Sequence, residues 1–240
     1  MKKDNLIRKL LQDKRKNCSM IGFIKNNNIF RILQKNNSFL IEGESDRKWV
    51  YISSDSGNEL NKIMNEYDYN IKSFASVEKD VVRLLKNRFQ IKWILTAIRY
   101  YLPLKRIMPE LKNKVVFLDP GDADFIYKNI NYHKYTDKIY IKRQIEKGPT
   151  AAIRLNGKLA GWGLTHDDNA LGMLHVLNEY RNRGFGRDIT ISLINQMRGL
   201  NLDVFVNIEK DNFKSRQLAK KLGFQRDREI SWLEIVKGEK

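Results

Sequence analysis

Residues 170–200 read ALGMLHVLNEYRNRGFGRDITISLINQMRGL. The opening run, ALGMLHVL, has the character of a strand, and NEYRNRG has that of a loop. Ile189, Leu193, Ile194 and Met197 then recur at helical spacing, which predicts a helix from near Gly184 to Gly199. The join between strand and helix, EYRNRGFGR (179–187), holds two glycines and three arginines in nine positions. The first amides of a helix have no internal acceptors, and the helix dipole adds positive potential there. Glycine lets the backbone approach a ligand with no Cβ in the way. Arg181, Arg183 and Arg187 add charge at the same point. The combination suits a pyrophosphate. It is not a P-loop, because no Gly-Lys-Ser/Thr follows, and it lacks the third glycine and the parallel βαβ setting of a dinucleotide fold.

Working outward, the C-terminal half is regular. KVVFLD (114–119) reads as a strand, and GDADFIYKNI and DKIYIKRQIEKG as helices. PTAAIRLNGKLAGWGLT carries Asn156-Gly157 between two apolar strands, the signature of a tight hairpin. NLDVFVNI reads as a buried strand, DNFKSRQLAKKLGF as a helix ended at Gly223, and SWLEIVK (231–237) as a last strand. The predicted fold class is α/β (α+β): a mixed sheet flanked by helices, preceded by a smaller α+β N-terminal half.

In that half, residues 3–15 have helical spacing, and 38–53 read as two strands around a polar turn. GNELNKIMNEY reads as a helix, SVEKDVVRLLKNRF as a helix starting at Ser76, and IKWILTAIRYYL as a strand. Pro103 and Pro109 flank a basic connector, which places a domain boundary near residue 110, giving 1–110 and 111–240. No internal repeat is evident. The N-terminal half completes an acceptor pocket, is a second copy of the fold, or forms a homodimer contact.

The 240 residues carry 45 Lys and Arg against 28 acids, a formal charge of +17. Such an excess draws nucleic acid or an anionic membrane when it is concentrated. Here it is spread: residues 1–110 hold 22 bases and 12 acids, and 111–240 hold 23 and 16. A generally basic surface is therefore favoured over a nucleic-acid stripe. Cys18 is the single cysteine, so no intrachain disulfide forms, as fits a reducing compartment. With His133, His166 and His175 it has no ligand spacing, and no metal is expected. MKKDNLIRKLLQDKRK lacks the apolar core of a signal peptide, and WILTAIRYYLPL is interrupted by Arg99, short of a membrane span. The expectation is a soluble cytoplasmic protein with no membrane partner.

VLNEYRNRGFGR resembles the acyl-coenzyme A signature of the GNAT superfamily of N-acetyltransferases, Gln/Arg-x-x-Gly-x-Gly/Ala, filled by Arg181, Gly184 and Gly186. EKGPTAAIRLNGKLAGWGLT is similar to the hairpin before the cofactor strand of these enzymes, and DNFKSRQLAKKLGF to their late helix. The resemblance spans roughly residues 114–237, and within the superfamily it is greatest to the glycine-N-acyltransferase-like branch.

The resemblance implies a GNAT-type mixed, mostly antiparallel sheet, with acetyl-CoA or another acyl-CoA as co-substrate. It implies that the end of the cofactor strand, Leu174, His175 and Val176, lies free of its neighbour and binds the pantetheine arm. It implies that the amides of Arg183, Gly184, Phe185, Gly186 and Arg187 hold the pyrophosphate, and that the Val176 N–H meets the oxyanion. It implies that Asn212 contacts the cofactor, with Ser215 nearby; read from the residues alone, Asn212 caps its helix.

The chain departs from the pattern at both proton-transfer posts: Ala170 stands where several relatives have a glutamate, and Ala219 where many have a tyrosine. His175 reads as a base or as a packed histidine. His166, Asp167 and Asp168 form a solvated turn, or else Asp167 and Asp168 hold the incoming ammonium. The expected reaction is acyl transfer to a primary amine of a small molecule, perhaps an amino acid. The alternatives are a non-catalytic acyl-CoA-binding module and a basic protein acting on an RNA-linked acceptor.

Overall fold

The structure is a computed structural model that describes residues 3–130, 133 and 135–236. The chain forms two compact units. The first comprises 1–99, 208–211 and 226–240, the second 100–207 and 212–225, within the described residues.

The first unit begins with two helices, α1 (Lys3–Leu10) and α2 (Lys14–Asn26). Three antiparallel strands follow: β1 (Asn28–Lys35), β2 (Ser38–Glu44) and β3 (Lys48–Ser53). Then come α3 (Gly57–Glu66), β4 (Ser73–Glu78), α4 (Lys79–Arg88) and β5 (Gln90–Tyr101), whose last two residues belong to the second unit.

The second half of the sequence repeats this element order. It has α5 (Ala123–Asn129) and α6 (Lys138–Lys147), then three antiparallel strands, β6 (Thr150–Leu155), β7 (Lys158–Thr165) and β8 (Leu171–Val176). Then come α7 (Phe185–Gly199), β9 (Phe205–Glu209), α8 (Phe213–Leu222) and β10 (Gln225–Val236). The pairing repeats too: β3 meets β4 in parallel at Val50 and Phe74, and β8 meets β9 in parallel at Leu171 and Val206. The sheet is mixed and mostly antiparallel, as expected, with strand order β1-β2-β3-β4-β10-β5 in the first unit and β9-β8-β7-β6 in the second. The repeat went unseen in the sequence because the equivalent strand-to-helix loops, SDS (54–56) and LNEYRNRG (177–184), share neither length nor charge.

Both faces of each sheet are covered. In the first unit Leu6, Leu10, Phe23 and Ile24 of α1 and α2 pack on one face, and Leu60, Ile63, Val81 and Leu85 of α3 and α4 on the other. Such side chains each contribute about 1.5–3 kcal/mol on burial. Most of β10 completes this unit: Leu233 and Ile235 enter its core, and Asp227 pairs with the buried Arg99 at 2.9 Å.

In the second unit Trp162 and Leu164 of β7 pack with Ile126, Ile141 and Ile145 of α5 and α6. On the opposite face Gly161 and Gly163 let α7 lie close. A Cβ at Gly163 would meet Ile189 and Leu193 at 3.0 Å. The hairpin turns at Asn156 (φ 50°) and Gly157 (φ 78°), both left-handed, as its sequence predicts.

Three expectations are corrected and one missed element is added. KVVFLD is no strand: it makes a single bridge, Val116 to Ala152, before the capped turn at Asp119 and Pro120. Ser76 does not start a helix but lies in β4, at a bulge with φ 52°, and α4 begins at Lys79. The N-terminal helical pattern extends to Asn26, because Asp13 caps a second helix whose residues 17–24 are all buried and so show no amphipathic period. β1 was missed because it is a half-exposed strand beginning within an asparagine run. Lys237, the end of the predicted last strand, lies outside the described residues.

Candidate functional site

The strand-to-helix join of the second unit runs from β8 through residues 177–184 into α7. β8 pairs with β7 along its length, with a bulge where Met173 (φ 47°) is the extra residue. Among the described residues it pairs with β9 at Leu171 and no further along. The Leu177 N–H donates to Ala160 O of β7 at 3.0 Å. Strand alternation then directs the N–H and C=O of Val176 away from β7, into the opening beside β9. Arg181 Nε donates to that carbonyl at 3.0 Å.

Side chains on β8 divide between its faces. Leu174 and Val176 lie toward α7, as their approach to the Cβ positions of Gly163 and Gly161 shows. His175 lies on the α5–α6 face, opposite Trp162, with rings stacked 4.8 Å apart at 20°. Burial, and then the charge of Arg181, push the His175 imidazole below its ordinary value, so the ring is neutral near pH 7. Trp162 is fully buried and its Nε1 has no hydrogen-bond partner among the described residues.

The head of α7 is bare. Gly184 is the residue before the helix, left-handed at φ 80°, and among the described residues no side chain caps the amides that follow. The first intrahelical bond runs from Asp188 N to Gly184 O at 3.1 Å. A Cβ at Gly186 would meet nothing closer than Val176 Cγ2 at 3.7 Å. A methyl group would therefore fit there, so contacts among the described residues do not by themselves require glycine at this position. The Phe185 side chain is buried, so this residue offers only its amide. Arg181 and Arg183 are exposed, and Arg183 lies over the Tyr180 ring at 5.7 Å.

Arg187 differs from its neighbours. Its guanidinium pairs with Asp188 and donates to Glu110 O at 2.9 Å, so it braces the helix head while its amide stays with the others. Asp188 is fully buried. One of its oxygens accepts from the amides of Lys112 (2.9 Å) and Asn113 (2.8 Å) and from Asn113 Nδ2 (2.7 Å). Burial alone would raise this carboxyl, but those hydrogen bonds and Arg187 outweigh it and hold the group below the usual carboxylate range. Sequence reasoning missed Asp188 and its hold on the connector. An acid in the first turn of a helix is common, and its burial is not written in the spacing.

On α8, Asn212 caps the helix, its Oδ1 accepting from Ser215 N at 3.1 Å. Of its two readings, the cap is therefore present. Leu218 Cδ2 stands 3.8 Å from the Gly186 Cβ position, which brings α8 beside the head of α7. Ala170 and Ala219, at the two proton-transfer posts, are both buried methyls.

The 166–169 turn is not an open, solvated one. Asp168 is 3% exposed, with Oδ1 accepting from Ala170 N at 2.9 Å and Oδ2 without a partner among the described residues. The Tyr140 hydroxyl contacts His166 Nδ1 and Asp167 Oδ1, each at 3.2 Å. His166 lies so close to Gly172 that a Cβ there would meet its Nε2 at 1.9 Å.

Among the described residues no helix is long and apolar enough to cross a membrane.

Residues 152–233 match the model of the family described as FR47-like protein. No curated protein sequence matches the chain. Among solved structures, a Drosophila protein is 15% identical with a TM-score of 0.80, covering 98% of this chain and 95% of its own. A GCN5-related N-acetyltransferase-like protein from Streptococcus suis is 12% identical with a TM-score of 0.58, covering 98% and 100%. A tandem GNAT protein from the clavulanic acid biosynthesis pathway is 13% identical with a TM-score of 0.52, covering 93% and 89%. The chain therefore has the fold of the GNAT acetyltransferase structures, with its 152–233 segment matching the FR47-like family.

Proposed function

We propose that the second unit transfers an acetyl or other short acyl group from acyl-CoA to a primary amine of a small molecule, such as an amino acid, in the manner of the glycine-N-acyltransferase-like branch. The observation that carries this reading is the uncapped head of α7, with unfilled space at Gly186, beside the free edge of β8. The amides of Gly184 to Arg187 hold the diphosphate, Arg181 and Arg183 add charge, and the pantetheine arm runs along Leu174–Val176.

The amine nitrogen attacks the thioester carbonyl carbon, and the oxygen that gains charge faces the Val176 N–H. The carbon–sulfur bond then breaks, the amide is released, and the coenzyme leaves as its thiol after taking up a proton. The proton lost by the amine passes to His175 through a water on the α5–α6 face. The neutral state of this ring supports that role. Asp167 and Asp168 stand just before β8, at the other end of the strand from Val176, and Asp168 is buried, so the reading does not rely on them to hold the acceptor's ammonium.

The test is to incubate the protein with acetyl-CoA and a panel of amino acids and small primary amines, following free thiol and amide mass. Thiol release that depends on one class of amine is the expected result. Coenzyme binding with no release for any amine would instead favour a silent binding module, the reading that the buried Ala170 and Ala219 support.

A further inference from the structure

The two strand openings of this fold are built alike and finished differently. β3 and β4 pair in parallel only at Val50 and Phe74 and then separate, as β8 and β9 separate beyond Leu171 and Val206. In the first unit the space past that pair is a cavity of about 10 Å³, between the ends of β3 and β4 and the side of α2. That is room for about one water molecule.

Two hydroxyls lining it, Ser19 Oγ on α2 and Ser76 Oγ on β4, have no hydrogen-bond partner among the described residues. Ser19 is 2% exposed and Ser76 is 9% exposed. Buried hydroxyls are costly to leave unmatched. The other polar groups around the cavity are engaged. Asn17 accepts from Ser53 Oγ at 2.6 Å and donates to Leu10 O at 2.9 Å. Arg99 is held by Asp227 and by Lys16 O.

The helix head next to this opening is also closed. Ser56 caps α3 by accepting from Glu59 N at 3.2 Å, where α7 has only Gly184. Lys16 Nζ fastens the preceding loop through Ser54 O (2.6 Å) and Asp55 (2.8 Å). Asp55 is paired with Lys16 and Glu59 adds a carboxylate at that head, where α7 has arginines, so it offers an anion no surplus of positive charge.

We propose that the β3–β4 opening is a closed counterpart of the β8–β9 opening: it holds one water between Ser19 Oγ and Ser76 Oγ and takes no coenzyme, so each chain binds a single acyl-CoA. The stoichiometry rests on the function proposed above; the water does not.

Two measurements test it on the full chain. A crystal structure that resolves ordered solvent should show one water within hydrogen-bond distance of both hydroxyls. An empty cavity, or a coenzyme arm in its place, overturns the proposal. Calorimetric titration with acetyl-CoA should give one site per chain, and none in Gly186→Val. Two sites, or binding retained in Gly186→Val, also overturns it. If acetyl-CoA binds nowhere on the wild-type chain, the functional reading fails, and the position of the water alone decides the closed-cavity claim.

Discussion

Asp188 and Asn113 are joined by two hydrogen bonds to a single carboxylate oxygen, one from the Asn113 amide at 2.8 Å and one from its Nδ2 at 2.7 Å. The contact ties the connector between the two halves of the sequence to the head of α7, where the coenzyme site is proposed. Hydrogen bonds to a buried charge contribute about 1.5–3 kcal/mol each and do not add simply. Asp188→Ala should therefore lower stability by about 3 kcal/mol, read from the urea midpoint.

The same carboxylate gives a pH dependence. Its folded pKa is depressed, so its contribution is complete above the unfolded value of about 3.9 and is lost as pH falls through the folded value. The difference in stability between wild type and Asp188→Ala should shrink in that acid range and be constant at neutral pH.

The two glycines of the motif should behave differently. Gly184 is left-handed, and an alanine there costs about 1–2 kcal/mol in the folded state. Gly186 lies at the start of a helix with room for a methyl group, so Gly186→Ala should leave stability within about 0.5 kcal/mol of wild type. Its acetyl-CoA affinity should nonetheless fall. Equal stability losses in both variants with unchanged affinity would show that these glycines serve the turn alone.

His175 makes a kinetic prediction. A base held below its ordinary value of about 6.5 stays active at neutral pH and is lost only as pH falls through the depressed value. At saturating acetyl-CoA, kcat against pH should show an acid limb that His175→Gln abolishes. Arg181→Gln removes the repelling charge and should move the limb to higher pH. A limb that ignores both substitutions would exclude His175 as the proton acceptor.

How far the molecule was legible in the sequence follows from these residues. Asn156-Gly157 and the 184–199 pattern are local signals, and both elements are present where they point. Val116 and Ser76 are decided by partners distant in sequence, Ala152 for one and the bulged pairing with β10 for the other. The repeat in element order is a property of pairing, and the two loops, SDS and LNEYRNRG, share no residues that would reveal it. Asp188 looks like an ordinary helix-start acid until Lys112 and Asn113 are seen closing over it.

Thermal unfolding with and without acetyl-CoA tests the central claim most directly. Ligand at about a hundred times its dissociation constant adds about 2.7 kcal/mol. For a chain of this size each kcal/mol raises Tm by about 2–4 °C. The account predicts a rise of about 5–10 °C in the wild type and none in Gly186→Val, whose side chain fills the approach to the α7 amides. An unchanged Tm in the wild type, or an equal rise in both proteins, would contradict it.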